Sequence, residues 1–459
     1  MLCQDRPWVA ALFMGALLII IWSTRIISDF DGVAVLLFAQ DGTDTSKHEN
    51  EAERAFVRQA IDTEFPTPID YSPIKEICAR NPSNFRPGLL FTCEGQHGGI
   101  GMLRNQILKC VRYAINGGGA LVVPSIALRN PSDLTDIETT NEVPLDYLLE
   151  REVFVKHLSE GCPGMRIYDR VEDFPAYQQR VEVDLIGDQF EPNHPREGLE
   201  FPREWRRFFD EWLGKQKLDV KPDAPVHVKL GQSFLEYPVH DDGDAFVNEF
   251  GKILSFRNDT RAMAAKVLWE LKQRFSLPID PSKAINPGAY YGAHLRLEED
   301  AIWAWPPEEW RYSRMEEQFR EQFENLARTG LRVVYVASGD QKVVDVFAER
   351  LKASSLVKGN VAVVTKYDLL RGAARKQLES MTFDQQALVD FLIMFKASAF
   401  MGVAHSSFPW NVALRRHEMS KYPAYGNEGS DLLRDEYSII MGMRADYPHV
   451  DPFEYGIWP

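Results

Sequence analysis

Short apolar runs alternate with helix-length amphipathic stretches in the first half of the chain, and this pattern predicts alternating strands and helices. The apolar run Leu89–Cys93 is followed by a glycine-rich loop and by apolar positions at helical spacing from Leu103 to Ala114. Ala120–Val123 predicts a second strand and Val226–Leu230 a later one. Because strands joined through a helix run parallel, the pattern indicates a parallel sheet.

The rest of the first half lacks a strand pattern. Proline and charged residues interrupt Arg129–Pro202, where we expect helices and loops rather than sheet, and Thr260–Phe275 predicts a long helix. The prolines of Leu277–Pro281 are typical of a linker. We therefore expect an N-terminal α/β domain over residues 76–280, which contains the glycine loop, and a C-terminal α/β domain over residues 281–459.

The second half repeats the alternation more clearly. Its predicted strands are Tyr290–Leu297, Val333–Ala337, Val361–Thr365 and Ala399–Ala404, and its predicted helices are Met315–Arg328, Gln341–Ala353 and Gln385–Ser398. The predicted fold class is therefore α/β, with two Rossmann-like domains facing a cleft. Sheets of this kind bind ligands at the carboxyl ends of their strands, so a site is expected in the loops at those ends.

The N-terminal segment departs from this pattern. Trp8–Trp22 contains no charged residue and would span about 22 Å as a helix, short of the ~30 Å hydrocarbon core of a bilayer, although Ser23–Ile27 extends it. We expect an uncleaved signal anchor over residues 1–27, with a cleaved signal peptide as the alternative. Seven acidic and three basic residues between Asp41 and Glu64 predict a solvated stem over residues 28–75.

Composition narrows the class of protein. With 459 residues, 45% hydrophobic and 26% charged, the chain is long enough for two or three packed domains and is not disordered. Its 52 basic and 67 acidic side chains give a net charge of −15, which excludes nucleic acid as an expected partner.

Four cysteines lie beyond the apolar segment: Cys78, Cys93, Cys110 and Cys162. They allow two disulfides in three possible pairings, or they are buried free thiols.

Three loops at predicted strand ends carry residues suited to an anionic ligand. The first, Gly98-Gly99-Ile100-Gly101, opens a predicted helix that also carries Asn105. Glycines let backbone N–H groups approach a ligand, and a helix N-terminus carries about half a positive charge, which favours phosphate. The alternative is a bare glycine turn, since the spacing matches neither the Walker motif nor the dinucleotide fingerprint.

The second loop places His294 and Arg296 on the same face of a strand end, because side chains two residues apart share a face. An arginine there can bind a diphosphate through two parallel hydrogen bonds, and its charge cannot be lost by deprotonation. Asp300 lies four residues further on. The alternative is that Arg296 is held in a local network with Glu298, Glu299 or Asp300.

The third loop is Ser406-Ser407-Phe408-Pro409, where serine can cap the following helix and proline suits its first turn. The backbone N–H groups and hydroxyls there suit phosphate, while the alternative is simply a well-formed helix start. Asp390 is a carboxylate on an otherwise apolar predicted helix, which indicates a partner or a ligand.

The order of these motifs, together with Ser338-Gly339-Asp340, resembles the protein O-fucosyltransferase superfamily over about Phe91 to Arg415. Members of that superfamily are inverting glycosyltransferases that use GDP-sugars and have a GT-B-like pair of Rossmann domains. The resemblance implies that the chain transfers fucose from GDP-fucose to a hydroxyl of a protein or glycan, with no metal or other cofactor. With the predicted anchor, we expect a single-pass type II protein of the endoplasmic reticulum or Golgi membrane with a lumenal catalytic region.

The resemblance also implies that the N-terminal domain lies on the acceptor side and that the C-terminal domain binds the nucleotide sugar. It further implies roles for individual residues. The Asn105 loop and Arg296 would hold the diphosphate, and His294 and Asp390 would help to place the nucleotide. The full set of expected donor-binding residues is Gly98, Gly99, Gly101, Asn105, His294, Asp300, Asp340, Asp390, Ser406, Ser407 and Phe408.

The expected chemistry follows from the leaving group. Negative charge develops on the phosphate oxygens as a nucleoside diphosphate departs, so Arg296 and helix N-termini would stabilise the transition state. Glu94, or His97 beside the same loop, is a candidate for the general base by position. We expect replacement of Arg296 by alanine to abolish transfer and to leave the fold intact.

Two alternative functions remain: a metal-dependent glycosyltransferase and a binding protein without activity. Asp242-Gly243-Asp244 resembles the Asp-x-Asp metal-binding motif of GT-A glycosyltransferases, where paired carboxylates hold a divalent ion, although a solvated turn explains the triplet more simply. The other alternative is a membrane-tethered protein that binds a sugar nucleotide or a glycoprotein but has lost turnover.

Overall fold

The computed structural model describes residues 44–64, 67–80, 85–130, 141–190, 202–231, 237–421, 431–442 and 456–459. The chain divides into two compact units, Met1–Ala52 and Glu53–Pro459. The first unit is described only from residue 44, where a helix begins. The predicted signal anchor lies outside the described residues. In the part of the chain that is described, no helix has the length and apolarity needed to cross a membrane.

The described residues form α-helices and β-strands in alternation over most of the second unit. The helices are α1 Asp44–Asp62, α2 Ser72–Ala79, α3 Ile100–Gly117, α4 Arg151–Gly161, α5 Trp205–Lys215, α6 Asp244–Phe250, α7 Asn258–Phe275, α8 Glu299–Ala304, α9 Met315–Thr329, α10 Gln341–Ala353, α11 Lys366–Leu369, α12 Gly372–Ser380, α13 Phe383–Phe395 and α14 Ser407–His417. The strands are β1 Leu89–Cys93, β2 Ala120–Val122, β3 Ser125–Ala127, β4 Glu142–Pro144, β5 Ile167–Tyr168, β6 Val181–Ile186, β7 Val226–Gly231, β8 Tyr291–His294, β9 Val333–Ala337, β10 Ala362–Val364, β11 Ala399–Val403, β12 Asp431–Arg434 and β13 Ser438–Met441.

The first sheet contains five parallel strands in the order β5-β2-β1-β7-β6. Its central strand β1 is buried along its whole length, with Phe91 paired to Leu121 on one side and to Val228 on the other. Burial on both faces explains why this strand is a continuous apolar run rather than an alternating one. Helix α3, which follows β1, is buried at nearly every position and packs against this sheet.

The second sheet has the order β10-β9-β8-β11-β13-β12. All its neighbouring strands are parallel except β12, which runs antiparallel to β13. The central strands β8 and β9 are buried throughout. Their carboxyl ends therefore bring the residues that follow His294 and Ala337 to the same edge of the sheet. The predicted α/β class with parallel sheets is confirmed, and the domain boundary near residue 280 stays a prediction.

One sequence expectation was wrong. The Arg129–Pro202 stretch contributes to the first sheet, because β6 pairs with β7 along its length. Only Leu185 of β6 is buried, since β6 is an edge strand, and an edge strand does not need an apolar pattern. Helix α1 and the start of α2 lie within the residues of the predicted stem, which stays a prediction. In α1 the Phe56 ring is buried and lies 5.3 Å from the Trp269 ring, so a few apolar contacts hold a helix that is otherwise polar.

The four cysteines form two disulfides, Cys78–Cys162 and Cys93–Cys110. The second bond joins the end of β1 to the middle of α3. The disulfide therefore links the two ends of the segment that contains the glycine loop.

Replacing both Cys93 and Cys110 by alanine should lower the free energy of unfolding by about 3 kcal/mol, because the bond closes a short loop in the unfolded chain. Urea denaturation monitored by circular dichroism would measure the change. Mass spectrometry of unreduced peptides should still recover the Cys78–Cys162 pair. An unchanged denaturation midpoint, or free thiols at Cys93 and Cys110 in the native wild type, would contradict this assignment.

Candidate functional site

A cavity of about 460 Å³ lies at the carboxyl ends of the second-sheet strands, where they face the N-terminal end of α3. Its walls come from the glycine loop after β1 and from the loops after β8, β9, β10 and β11. Loops at several separate strand ends thus contribute to one cavity, as expected for a ligand site in an α/β fold.

The N-terminus of α3 opens into this cavity. Gly98 has a φ of +107°, a backbone conformation that favours glycine, and Gly99 is the N-cap residue. The Gly99 carbonyl accepts hydrogen bonds from the N–H groups of Met102 at 2.9 Å and Leu103 at 3.0 Å. The N–H groups of Ile100 and Gly101 come before the first N–H group that donates within the helix, so they are available to a ligand.

The N-terminus of α14 opens into the same cavity. Ser406 is its N-cap residue, but the serine side chain makes no capping hydrogen bond, so the expected serine cap does not form. Ser406, Ser407 and Phe408 line the cavity. Because Pro409 has no N–H, the donors of the first turn are the N–H groups of Ser407 and Phe408.

The two helix N-termini approach each other at Gly101. A β-carbon on Gly101 would lie 2.8 Å from the Ser407 carbonyl oxygen and 2.9 Å from Asn411 Nδ2. The Asn411 amide donates to the Ser407 carbonyl at 2.9 Å and to the Gly101 carbonyl at 3.3 Å. A residue without a side chain at position 101 therefore lets two positive helix ends converge on one cavity.

Arg296 lies in the cavity wall, held by two carboxylates. Its Nη1 donates to Glu298 at 2.7 Å and to one oxygen of Asp300 at 2.8 Å, and its Nη2 donates to the other Asp300 oxygen at 2.5 Å. Gln318, which is fully buried, accepts from the Arg296 N–H at 3.1 Å and donates to its carbonyl at 3.1 Å. Both the backbone and the guanidinium of Arg296 are therefore fixed before any ligand binds.

This arrangement leaves part of the guanidinium available. An arginine has five N–H donors, and among the described residues the acceptors engage three of those of Arg296. The remaining Nε–H and second Nη2–H lie on the same side of the guanidinium and can bind two oxygens at once. Burial alone would lower the pKa of Arg296, but Glu298 and Asp300 outweigh burial and raise it. The expected local network is real, and it orients Arg296 without using all of its donors.

His294 stacks on Phe408 with ring centroids 4.7 Å apart and an angle of 11° between the planes. Burial lowers the pKa of His294 to about 3, so the imidazole is neutral at physiological pH. His405, nearby in the same wall, also has a pKa lowered to about 3, again chiefly through burial. The two histidines therefore add no positive charge to the cavity.

Asp390 has the partners that its apolar helix indicated. Tyr335 donates to one of its oxygens at 2.7 Å, and Lys366 forms a close ion pair with the other. Burial raises the pKa of Asp390, and Lys366 opposes this effect. Asp390 and Lys366 both line the cavity.

Three of the expected site residues lie away from the cavity wall. Asn105 is fully buried, donates to the Gly456 carbonyl at 2.9 Å and accepts from the Trp458 N–H at 3.3 Å, so it anchors the 456–459 segment. Asp340 accepts from the Lys342 N–H at 2.8 Å and thereby caps α10. Glu94 accepts from the Thr92 hydroxyl at 2.6 Å, and of the two candidate bases only His97 lines the cavity.

The Asp-x-Asp triplet does not have the geometry of a metal site. Asp242 is buried and accepts from Arg112 at 2.7 and 2.6 Å and from Tyr237 at 2.8 Å. The Asp244 side chain is 85% exposed and pairs with His240. Over the described ranges of the chain, no group of three or more histidine, cysteine or acidic residues is arranged to hold a metal ion.

The structure adds Arg129, Lys366 and Asp384 to the site, none of which the sequence indicated. Arg129 follows β3 at the start of the proline- and charge-rich stretch, where no pattern singled it out. Lys366 directly follows the Thr365 cap of α11, and a lysine at the end of a short predicted strand gives little signal by itself.

The chain matches a protein family and is similar to several solved structures. The family model of GDP-fucose protein O-fucosyltransferases matches residues 89–419. Similar solved structures include POFUT1 with GDP-fucose (14% identity, TM-score 0.45) and POFUT1 with GDP (15%, 0.44), each over 78% of this chain and 99% of that chain. NodZ alpha-1,6-fucosyltransferase co-crystallized with GDP is 15% identical, with a TM-score of 0.34, over 70% of this chain and 89% of that chain. No curated protein sequence matches the chain.

A family match over well more than half of the chain, on an α/β fold with a cavity at its strand ends, defines a glycosyltransferase of the fucosyltransferase kind. More specifically, the chain belongs to the GDP-fucose protein O-fucosyltransferase family. Membership supports transfer of fucose from GDP-fucose as its general activity.

Gly101→Ala should destabilise the protein by about 1–3 kcal/mol, because the new β-carbon forces α3 and α14 apart. Helix propensity alone predicts the opposite sign, since alanine is favoured over glycine by about 1 kcal/mol. Gly214→Ala is the matched control: it is a helical glycine whose added β-carbon would have no atom within 4 Å, so it should be neutral or stabilising. Thermal and urea unfolding would measure both variants. Equal stabilisation by the two substitutions would contradict the close approach.

His294 should make the protein sensitive to acid. Its pKa is about 3 in the folded state and about 6.5 when unfolded, so the unfolded chain binds the proton first. The contribution of His294 to the free energy of unfolding is therefore fully present above pH 6.5. It decreases as the pH falls, by up to about 1.4 kcal/mol per pH unit. In urea titrations between pH 6.5 and 4.5, His294→Asn should lose stability less steeply than wild type. Parallel slopes would contradict a lowered pKa of His294 in the folded protein.

Proposed function

We propose that this chain is an inverting, metal-independent fucosyltransferase that transfers fucose from GDP-fucose to a hydroxyl of a protein or glycan acceptor in the secretory pathway. The observation that carries the proposal is the oriented Arg296 guanidinium in a cavity onto which two helix N-termini converge. This is an arrangement of fixed positive charge and N–H donors suited to a diphosphate.

The diphosphate is proposed to lie between Arg296 and the starts of α3 and α14. The Nε–H and Nη2–H of Arg296 can each donate to a phosphate oxygen. The N–H groups of Ile100 and Gly101 on one side, and of Ser407 and Phe408 on the other, can donate from the two helix ends. Serine hydroxyls at positions 406 and 407 add donors that need no charge.

The nucleoside is proposed to occupy the part of the cavity formed by the second sheet. Guanine presents N–H donors on one edge, and the Asp390 carboxylate is an acceptor held in place by Tyr335 and Lys366. The neutral His294 ring, fixed by its stacking on Phe408, can exchange a hydrogen bond with the nucleotide and does not compete with Arg296 for the phosphates.

The proposed reaction breaks the bond between the sugar and the β-phosphate oxygen. Negative charge grows on that phosphate as the bond lengthens, and Arg296 with the helix N-termini stabilises it without moving. The cation function that a metal supplies in GT-A enzymes is then supplied by these groups. His97 is the candidate for accepting the acceptor hydroxyl proton, because it lines the cavity.

The pairing of the cavity carboxylates with cations supports transfer with inversion at the anomeric carbon of the sugar. Four acidic residues line the cavity in the described part of the chain, and each pairs with a cation: Glu298 and Asp300 with Arg296, Asp384 with Arg129, and Asp390 with Lys366. A retaining double displacement would need a carboxylate nucleophile, and a paired carboxylate is a poor one. A single displacement by the acceptor hydroxyl inverts the anomeric carbon.

The proposed lumenal location is supported by the two disulfides, because such bonds persist in oxidising compartments such as the endoplasmic reticulum. The membrane anchor in the predicted type II orientation belongs to the same proposal.

Arg296→Lys should lower kcat for fucose transfer by about 10²–10³, because lysine keeps the charge but loses the planar set of donors that spans the carboxylates and the diphosphate. Lysine is preferred here to the expected alanine variant, since alanine removes the only cation paired with the buried Glu298 among the described residues, leaves Asp300 with Arg129 alone, and would destabilise the fold. Release of GDP from GDP-fucose with an acceptor mixture measures the rate.

Wild-type activity in that assay should be unchanged by EDTA. The exposed Arg170→Lys change is a matched control, since Arg170 lies in a surface ion pair with Asp173. Full activity of the Arg296→Lys variant would remove Arg296 from the mechanism, and loss of wild-type activity in EDTA would overturn metal independence.

A further inference from the structure

Arg129 lines the cavity described above, but it belongs to a different part of the fold from the other charged residues in the cavity wall. It follows β3, a strand of the β3–β4 hairpin that is joined to the glycine loop by a hydrogen bond from the Ala127 N–H to the Gln96 carbonyl at 2.9 Å. The other charged residues in the wall belong to the second half of the chain. The Arg129 side chain is only 10% exposed.

Arg129 bridges two carboxylates of the cavity. Its Nη2 donates to Asp300 Oδ2 at 3.1 Å, and its Nη1 lies 3.6 Å from Asp384 Oδ1. The guanidinium carbon also lies 5.6 Å from the centre of the Phe383 ring. A planar guanidinium can reach both acids at once, which a single ammonium group at the end of a flexible chain cannot do with the same geometry.

The Asp300 oxygen that Arg129 contacts is the one that also accepts from Arg296 Nη2. Asp300 is therefore fixed from two sides, by an arginine from each half of the chain. Because Asp300 binds Arg296 through both oxygens, rotation of the Asp300 carboxylate would turn the Arg296 guanidinium and misdirect its Nε–H and Nη2–H donors.

We propose that Arg129 is a positioning residue for the transfer reaction: by holding Asp300 from the β3–β4 hairpin, it keeps the Arg296 guanidinium directed at the donor diphosphate. The inference rests on the proposed function, because it assumes that Arg296 binds the diphosphate. It extends the site to a residue that acts through Asp300 rather than by touching the sugar nucleotide.

Two other roles for Arg129 make different predictions. If Arg129 acted only as a nearby positive charge, a lysine at position 129 would replace it. If Arg129 bound the diphosphate directly, its removal would have the same effect whether or not Asp300 is present. A positioning role predicts that lysine fails and that the effect of changing Arg129 depends on Asp300.

The experiment measures GDP affinity by calorimetry, together with kcat and KM for GDP-fucose, in wild type, Arg129→Lys, Asp300→Asn and the double variant. Arg129→Lys should weaken GDP binding and lower kcat/KM by about tenfold, within the range of coupling between contacting residues. In the Asp300→Asn background the same change should alter both quantities by less than about twofold. Arg170→Lys should match wild type, since Arg170 pairs with Asp173 on the surface.

Asp384→Asn provides a second route that leaves Arg129 in place, should Arg129→Lys fold poorly. It removes the other contact of Arg129 and should lower kcat/KM in the same direction, with little further loss when combined with Arg129→Lys. Near-ultraviolet circular dichroism would confirm native packing of each variant.

Three results would overturn the inference. Full activity of Arg129→Lys would assign the residue a purely electrostatic role, and equal losses with and without Asp300 would indicate direct contact with the donor. Unchanged activity of Asp384→Asn would show that the bridge does not matter. Failure of wild type to bind GDP would be distinguishable from all three, because it removes the proposed function itself.

Discussion

The close approach of α3 and α14 at Gly101 is the constraint on which the site depends. Only a residue without a β-carbon lets the Ser407 carbonyl and the Asn411 amide lie so near the α3 backbone. That contact brings the starts of two long helices, which follow strands of two different sheets, to one cavity. The available N–H groups and the positive ends of both helix dipoles can then act on one ligand in that cavity.

Arg296 completes this arrangement through charge rather than packing. A guanidinium facing a cavity without anionic partners would be mobile, and burial alone would lower its pKa. Glu298 and Asp300 reverse the pKa shift and fix the plane of the group, at the expense of three of its five donors. The remaining two donors share one side of the guanidinium, so the N–H groups that could bind a ligand differ from those that orient the side chain.

The sequence predicted those parts of the fold that burial dictates. Strands such as Leu89–Cys93 are apolar on both faces because sheets and helices cover them, and the glycine loop and Arg296 follow such strands directly. The edge strand Val181–Ile186 was not predicted, because most of its side chains are exposed and form no apolar pattern. Its pairing partner also lies 45 residues away in sequence, since Val181 pairs with Val226. Arg129 was not predicted as a site residue, because it contacts Asp300, which lies far along the chain, and no local sequence pattern indicates such a contact.

The most direct test of a diphosphate held between two helix ends is amide hydrogen–deuterium exchange of the protein with and without GDP. We expect GDP to slow exchange in peptides covering residues 98–105 and 405–410 together, because ligand oxygens accept from the first N–H groups of α3 and α14. Arg296→Lys should remove both protections. Protection at only one helix, or protection confined to residues outside the cavity, would contradict a diphosphate site shared by the two helices.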